Sequence, residues 1–364
     1  MVYRVGIVGA SGIVINTPGG EPSPPLGREI SASHVSGLSY MEDVELAAVC
    51  DINPEALERF KDAWSERWPE TRLYSDYREM LEGEDLDILT VATSDHRHSQ
   101  IVIDGAESGM KAIFCEKPIA TTLEDADAMI AACERNGVKM SVNHSRRWFP
   151  LYHKVRQVIR SGAIGTPTVL TGVLGGPRAM MFRNGTHYID ALCFFSESEP
   201  RAVSAILEDG FDDWDRYRGD GGKLPENEPG MTGTIIFENG VRAIFRALKG
   251  TAPLGSLEIT GPQGVIRIDG GDRAAELTVQ KEVRGEPNRT TIHPEQYQIQ
   301  GTVSAYRELI DIIEHGGESV SSPQDARKAL RILLGFLESH QQGGRLVDVP
   351  GRLADAGRLA VAGG

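Results

Sequence analysis

The sequence predicts an α/β protein of two domains, in which a layer built on a parallel sheet is followed by an α+β domain with a large open, mainly antiparallel sheet. The first observation is that short apolar runs alternate with capped helix patterns up to about residue 149. The second is that strand patterns beyond that point follow one another through turns. A chain of 364 residues also exceeds one ordinary compact core, which favours two domains.

The parallel layer is predicted from short, partly β-branched apolar runs, as buried parallel strands should be. They lie at residues 5–8, 44–50, 86–93 and 111–115. The helices between them have recognisable N-caps: Asn53 before Pro54, Ser75 before 76–81, and Thr122 with Asp125 before a helix that stops at Gly137. A Pro- and Gly-rich insertion at 15–27 delays the first helix to about 28–40.

The second domain is predicted from a helix at 151–161 and a series of strands. The clearest signal is a hairpin, in which Asn239-Gly240 joins the runs 234–238 and 241–246. Further strands are expected at 256–260, 265–269 and 276–283, and a late helix follows the Ser322 cap. We therefore divide the chain into 1–122, 123–350 and a loosely held tail at 351–364, with the helix at about 323–341 packing back near the first domain. Three stretches, 15–27, 212–230 and 285–300, are expected to be loops.

Composition excludes several classes of partner. A net charge of −14 argues against nucleic acid, because phosphate binding needs a basic face. No apolar run approaches the ~20 residues that span a bilayer, and residues 1–5 do not resemble a secretory signal. The four cysteines form no CxxC pair, and three of them lie in apolar runs that predict small buried side chains. This pattern favours a reducing, cytoplasmic location. His96 and His98 lack a third ligand at suitable spacing, so no metal centre is expected.

A glycine motif follows the first strand directly. Gly9-Ala10-Ser11-Gly12-Ile13 is a partial match to the turn that lets a backbone approach a dinucleotide pyrophosphate, with Ser11 in place of the second glycine. The second strand ends at Asp51, followed by Ile52. A carboxylate there accepts the ribose hydroxyls and repels a 2′-phosphate, so NAD is favoured over NADP.

The most specific motif is Glu116-Lys117-Pro118 at the end of the fourth strand. It is preceded by Thr93-Ser94 and His98 and followed by Arg147-Trp148 and the element Gly185-Thr186-His187-Tyr188-Ile189-Asp190. In this order the motifs resemble the glucose–fructose oxidoreductase, inositol dehydrogenase and rhizopine-catabolism (Gfo/Idh/MocA) family over residues 1 to about 350. The resemblance implies an N-terminal Rossmann domain that binds NAD.

The resemblance places Lys117 and His187 beside the nicotinamide as proton-transfer residues. That role suits them, because oxidation of a secondary alcohol needs a base for the hydroxyl proton while hydride leaves to the cofactor. The implied cofactor-binding set is Gly9, Ser11, Gly12, Ile13, Asp51, Ile52, Thr93, Ser94, His98, Glu116 and Lys117. The implied substrate-binding set is Arg147, Trp148, Arg183, Asn184 and Asp190.

Arg183 departs from the family pattern, which often has an acid four residues before the active-site His. Three roles are open for it: binding an anionic substrate group, keeping Lys117 neutral, or pointing to solvent. Asp190 is expected to orient the site or cap a helix rather than to act as the base.

The leading interpretation is an NAD-dependent dehydrogenase or reductase of a sugar, cyclitol or glycoside. An NAD-dependent glycosidase that works by redox elimination would use the same two residues, and a non-catalytic NAD- or sugar-sensing regulator is the alternative from another class. The expected partners are a small carbohydrate or polyol substrate and a second or further copies of the chain in a homodimer or homotetramer, since an open sheet face leaves apolar area to cover.

Overall fold

The computed structural model describes residues 1–10, 12–15, 30–31, 33–219, 224–270, 272–280, 285–294 and 300–351. The strands are β1 Tyr3–Val8, β2 Ile30–Ser31, β3 Val44–Cys50, β4 Arg72–Tyr74, β5 Ile88–Val91, β6 Ala112–Cys115, β7 Lys139–Val142, β8 Val169–Gly175, β9 Pro200–Leu207, β10 Met231–Phe237, β11 Arg242–Leu248, β12 Gly255–Gly261, β13 Gly264–Asp269, β14 Ala275–Val279, β15 Asn288–Ile292, β16 Gln300–Gly301 and β17 Val347–Asp348. The helices are α1 His34–Ser39, α2 Pro54–Trp64, α3 Tyr77–Gly83, α4 His98–Glu107, α5 Leu123–Asn136, α6 Pro150–Arg160, α7 Gly185–Ser196, α8 Thr302–His315 and α9 Pro323–Gln341, with 3-10 turns at Asp95–Arg97, Ser145–Trp148 and Pro225–Asn227.

The first sheet is parallel and has the order β4-β3-β1-β5-β6-β7. The chain adds β3 and β4 on one side of β1 and then β5, β6 and β7 on the other side. The crevice at such a switch point is where open α/β sheets bind ligands. The loops after β1, β3, β5 and β6 all open at this carboxyl edge. The predicted α/β class and its parallel first layer are confirmed.

Helix starts in this layer follow their capping side chains. Asn53 accepts a hydrogen bond from the Glu55 N–H, and Thr122 accepts one from Asp125, as the sequence predicts. α3 is capped by Asp76 rather than Ser75, so it starts one residue later than expected. The helix predicted for 28–40 begins only at His34, because Ser33 supplies the cap and residues 30–31 instead pair with β16.

The second sheet has nine strands in the order β15-β14-β13-β12-β8-β11-β10-β9-β17. β8 and β11 pair in parallel and the other neighbours are antiparallel, so the predicted, mainly antiparallel open sheet is confirmed. The hairpin between β10 and β11 turns at Asn239-Gly240, where Gly240 has a φ of 87°. α7 and α9 pack on one side of this sheet and carry most of its apolar core.

The structure corrects two of the predicted boundaries. The parallel layer does not end at residue 122, because α5 and β7 follow and β7 forms the sixth strand. The expected loop at 285–300 contains β15, which extends the second sheet by pairing with β14. α9 packs mainly on the second sheet, but Arg327 also forms an ion pair with Asp127 of α5 and so reaches the first layer. Most of the insertion at 15–27 and of the tail beyond Gly351 lies outside the described residues.

The buried apolar side chains form two core clusters. One core cluster runs from β5 and β6 through α5 to α7, α9 and the second sheet, and the other lies between β1, β3, α1, α2 and α8. All four cysteines are buried free thiols, whereas burial was predicted for three of them. Among the described helices, none combines the length and the apolar character that a bilayer span requires.

Candidate active site

The loop after β1 has the geometry of a dinucleotide turn at both of its glycines. Gly9 has a φ of 101°, and a Cβ there would lie 2.4 Å from the Ala92 carbonyl oxygen, so a side chain is sterically excluded. Gly12 has a φ of 53° and open space where its Cβ would be. Gly9 thus lets the turn pack closely against the end of β5, and Gly12 leaves its backbone uncovered, as the glycines of a dinucleotide turn do. Ser11 lies outside the described residues.

Asp51 lies at the end of β3 beside this loop. Its Oδ2 accepts a hydrogen bond from the Ala10 N–H at 2.7 Å, and its Oδ1 accepts one from the Asn53 N–H at 2.8 Å. The carboxylate thus fixes the glycine turn and stays partly exposed at the edge of the crevice. Ile13 and Ile52 are exposed apolar side chains at the same edge, 40% and 87% accessible, as a flat apolar ligand ring would require. The chain therefore fits an NAD molecule here.

Thr93 and Ser94 follow β5 and are partly exposed at the crevice, whereas His98 is not. His98 is fully buried, and its Nδ1 lies 3.1 Å from the Pro118 carbonyl oxygen and its Nε2 3.3 Å from that of Thr93. Both ring nitrogens are therefore engaged by main chain. The structure assigns His98 a bridging position between the loops after β5 and β6 rather than open contact with a cofactor.

Glu116 is buried at the end of β6 in a closed hydrogen-bond network. Its Oε1 accepts from His34 Nε2 at 2.9 Å and from Asn143 Nδ2 at 2.6 Å. Burial alone would raise the pKa of this carboxyl, but the hydrogen bond and charge of His34, the charge of Lys117 and the Asn143 amide together lower it to about 2. Glu116 is thus an ionised anchor behind Lys117, and His34 is a member of the site that the sequence patterns missed.

Lys117 extends from the same turn, next to a cis peptide bond with Pro118. Its Nζ donates to the main-chain oxygen of Arg183 at 2.9 Å, so it bridges the first layer and the segment before α7. Burial lowers the pKa of this ammonium, with a further decrease from Arg183, while Glu116 opposes the shift. A lysine with a lowered pKa is suited to accept a proton.

His187 faces Lys117 from the first turn of α7. Its Nδ1 is buried and has no hydrogen-bond partner among the described residues. Burial, followed by the charges of Lys117, Arg146 and other neighbouring groups, holds the pKa of His187 well below its usual range. The imidazole is therefore neutral at neutral pH. The His144 ring lies 6.0 Å away, edge to face.

Unpartnered polar atoms concentrate around His187. Within the described part of the chain, seven buried side-chain nitrogen or oxygen atoms lack a hydrogen-bond partner, and four of them belong to two short segments, 144–146 and 184–187. These four are His144 Nδ1, Arg146 Nε, Asn184 Oδ1 and His187 Nδ1. Arg146 Nε still lies 3.4 Å from a carboxylate oxygen of Asp272, and His144 Nδ1 lies 3.7 Å from one of Asp190, whereas Asn184 Oδ1 and His187 Nδ1 have no such neighbour among the described ion pairs. Buried polar atoms are normally paired, so these two atoms indicate a place where a polar ligand would supply the partners.

Arg183 pairs with a buried carboxylate of the first layer. Its Nη1 lies 3.5 Å from Oδ1 of Asp95, whose side chain is almost inaccessible, while the guanidinium itself remains about a quarter exposed. Asp95 also accepts a hydrogen bond from the Tyr217 hydroxyl. The interpretation in which Arg183 only points to solvent is therefore wrong. Asp95 and Tyr217 were not among the predicted site residues.

Arg147, Trp148 and Asp190 were expected to contact substrate, but the structure places all three in packed interior. Arg147 Nε lies 2.9 Å from both carboxylate oxygens of Asp190, and its Nη1 bonds Asp325 at the same distance. Trp148 is 7% exposed and donates to Glu308. The 3-10 turn Ser145–Trp148 directs the side chains of Arg147 and Trp148 inward. The pair between Arg147 and Asp190 therefore holds this turn against α7. Trp148 has no open ring face for a sugar.

A second buried carboxylate, Glu228, lies beside Arg183. It is 3% exposed and its Oε1 accepts the main-chain N–H groups of Phe182 and Arg183. Phe182 in turn stacks on Tyr217 with ring centroids 4.0 Å apart. The loop predicted at 212–230 therefore brings Tyr217 and Glu228 to the site. Apart from that loop assignment, the sequence carried no motif that identifies either residue.

Family models match the two parts of the chain in order. The model of the NAD-binding Rossmann fold of the Gfo/Idh/MocA oxidoreductase family matches residues 3–144, and a model of the C-terminal domain of the same family matches residues 152–267. The chain belongs to the Gfo/Idh/MocA family of oxidoreductases. It uses NAD, in agreement with the prediction from Asp51 and the glycine turn.

Individual relatives agree with this assignment. The chain is 28% identical over 355 residues to D-apiose dehydrogenase of Paraburkholderia graminis, with 90% of this chain and 88% of the relative aligned. It is 32% identical over 145 residues to myo-inositol 2-dehydrogenase of Thermotoga maritima, with 40% of this chain and 42% of the relative aligned. A solved structure of levoglucosan dehydrogenase with NADH has the same fold, with a TM-score of 0.74, 20% identity and coverage of 96% and 100% of the two chains.

Proposed function

We propose that this protein is an NAD-dependent dehydrogenase that acts on a secondary alcohol of a sugar, cyclitol or glycoside, with Lys117 and His187 as its proton-transfer residues. The observation that carries the proposal is the pair of buried atoms without a hydrogen-bond partner, Asn184 Oδ1 and His187 Nδ1, next to a lysine with a lowered pKa at the carboxyl edge of the parallel sheet. A polyol has both donors and acceptors to satisfy these two atoms. D-apiose, inositol and levoglucosan dehydrogenases among the similar proteins support the same substrate class.

The chemistry requires a hydride acceptor and a proton acceptor. NAD, when bound, would supply the hydride acceptor for the hydrogen of the carbinol carbon. The hydroxyl proton passes to Lys117 or His187, both of which have a pKa lowered by burial and are able to accept it. Asn184 Oδ1 offers an acceptor for a second substrate hydroxyl. Glu116 and Arg147 hold the two sides of the site in register through their buried pairs.

The test is NADH formation at 340 nm with D-apiose, myo-inositol, levoglucosan, uronates and aryl glycosides. Lys117→Ala should lower kcat/KM on the active substrate by about 10²- to 10⁴-fold, the usual contribution of a positioned acid or base. Lys61→Ala, which removes an exposed lysine of α2, is the matched control and should leave the rate unchanged. Equal rates in Lys117→Ala and wild type would refute the assigned role.

The same panel separates the competing functions. Release of an aryl aglycone without net NADH accumulation would indicate the redox-elimination glycosidase. Tight NAD binding with no turnover of any compound would indicate the sensing regulator. Activity restricted to uronates would support Arg183 as a ligand for a substrate carboxylate, because its planar fork suits that group.

We also propose that the protein works in the cytoplasm as a homodimer or homotetramer through the outer face of the second sheet. The four free thiols suit a reducing compartment. The outward side chains of β9 and β11 include Ile206 and Ile244, which are 51% and 41% exposed in the single chain. Light scattering after size exclusion tests the assembly, and a monomer that persists at micromolar concentration would refute it.

A further inference from the structure

The main chain of Arg183 is held from both ends by ionisable side chains. Its carbonyl oxygen accepts from Lys117 Nζ at 2.9 Å, and its N–H donates to Glu228 Oε1 at 2.8 Å. These contacts involve only the backbone, so they do not depend on the side chain at position 183. The Glu228 carboxylate therefore contacts the main chain of position 183, where the family often has an acidic side chain. Glu228 itself lies 45 residues further along the chain.

The Glu228 carboxylate is more than an anchor for two N–H groups. A neutral amide oxygen could accept both bonds, yet the site keeps a carboxyl group that is 3% exposed. Burying a charge is costly unless that charge interacts with a nearby cation.

Charged and titratable groups face Glu228 from each neighbouring segment. Asp95 of the loop after β5 repels it, Arg183 attracts it, and the Tyr217 hydroxyl and the Lys117 ammonium lie within range of its field. Burial raises the pKa of Glu228 to about 7, with its two backbone hydrogen bonds opposing the shift. The carboxyl thus titrates in the range in which a dehydrogenase works.

We propose that Glu228 is a positioning residue for proton transfer, which lies on the main chain at the position of the missing acid and favours the protonated form of Lys117. The proposal rests on the proposed function in one respect, that Lys117 is the group that transfers the proton. Ionised Glu228 favours the ammonium form of Lys117, which opposes the effects of burial and of Arg183. Without this charge, Lys117 becomes a weaker base.

The decisive variant is Glu228→Gln, which keeps an oxygen for the Phe182 and Arg183 N–H groups and removes only the charge. Glu228→Asp restores the charge. Glu226→Gln, two residues away and exposed, is the matched control for loss of one carboxylate. Circular dichroism and thermal unfolding of each variant establish that it is folded.

The first readout needs no substrate. Competitive acetylation with mass spectrometry reports the pKa of Lys117 in the free protein, with the exposed Lys61 as internal reference. We expect Glu228→Gln to lower the pKa of Lys117, because the variant removes a nearby negative charge that favours the ammonium form. Glu228→Asp and Glu226→Gln should leave it at the wild-type value.

The second readout is the pH profile of kcat/KM. The acidic limb should move to lower pH in Glu228→Gln by the same amount, and the plateau should fall several-fold because a weaker base is less effective. An unchanged Lys117 pKa and an unchanged limb in folded Glu228→Gln would overturn the proposal and leave Glu228 as a backbone anchor. A shifted pKa in a protein that oxidises no compound of the panel would support the coupling and refute the proposed function, so the two failures are distinguishable.

Discussion

Replacing Glu116 by Gln tests the electrostatic anchor behind the site. The carboxylate is buried, accepts hydrogen bonds from His34 and Asn143, and lies one residue before Lys117. His34 Nδ1 continues the network to the Tyr306 hydroxyl at 3.1 Å, so a single carboxylate links β6, α1, β7 and α8. Its loss should therefore be visible in global unfolding.

The magnitude follows from proton linkage. The pKa of Glu116 is about 2 in the folded protein against an ordinary value of 4.5, and each unit corresponds to about 1.4 kcal/mol, so ionised Glu116 stabilises the fold by about 3 kcal/mol at pH 7. Because the folded pKa is depressed, this stabilisation is complete above pH 4.5 and is lost as the pH falls towards 2. About 2 kcal/mol should remain near pH 3.5.

The assay is urea unfolding followed by tryptophan fluorescence at pH 7 and pH 3.5. Glu116→Gln should lower the free energy of unfolding by about 3 kcal/mol at pH 7, and the gap to wild type should narrow to about 2 kcal/mol at pH 3.5. Glu66→Gln, an exposed carboxylate of the same type, should change stability by no more than about 0.5 kcal/mol. A gap that stays constant or widens as the pH falls would show that Glu116 does not stabilise the fold through its charge.

Three further perturbations address the cofactor turn and the interior of the site. Gly9→Ala forces a Cβ to 2.4 Å from a carbonyl oxygen at a φ of 101°, so it should lower the stability measured by thermal unfolding by about 2 kcal/mol or more and weaken NADH binding at least about tenfold. Gly12→Ala, which has open space for its Cβ, should lower stability by only about 1 kcal/mol. Equal losses of stability in the two variants would contradict the steric argument. Asp51→Asn retains an acceptor for the Ala10 N–H but removes the charge that repels a 2′-phosphate. The ratio of kcat/KM for NAD to that for NADP should therefore fall about tenfold or more. An unaltered ratio would count against a role of Asp51 in cofactor choice. Arg147→Met leaves Asp190 without its buried arginine partner and should lower the free energy of unfolding in urea by about 3–5 kcal/mol. Arg160→Met, which removes an exposed pair, should lower it by about 1 kcal/mol or less. Similar effects of the two variants would refute the buried role of Arg147.

The fold was predictable where local signals agree with the tertiary structure. The caps Asn53, Thr122 and Ser322 start helices as expected, because a side chain two or three residues from the N–H it accepts needs no distant partner. The signal failed by one residue at α3, where Ser75 and Asp76 are both competent caps and only packing decides between them. β7 was missed because its place as the sixth strand depends on pairing with β6, which no local pattern encodes.

The site was predictable to the extent that its chemistry sits in contiguous motifs. Lys117 and His187 are predicted from such motifs, and in the structure they lie on facing segments. Arg147 and Trp148 were expected to contact substrate because they are polar or aromatic beside a motif, but the direction of a side chain in a short 3-10 turn depends on what it packs against. Here Arg147 pairs with buried Asp190, and Trp148 donates a hydrogen bond to Glu308, so both side chains point inward.

The departure at position 183 shows why one position cannot decide whether the site is competent. From the sequence alone, the arginine in place of the usual acid speaks weakly for a non-catalytic regulator, whereas retention of Lys117 and His187 speaks against one. In the structure, Arg183 is opposed by Asp95, which comes from a different loop, and its main chain meets Glu228, which comes from the second domain. Anionic groups therefore return to the site from segments far apart in the chain. Because electrostatic interaction depends on distance in space and not on sequence position, the loss of an acid from the motif does not amount to its loss from the site.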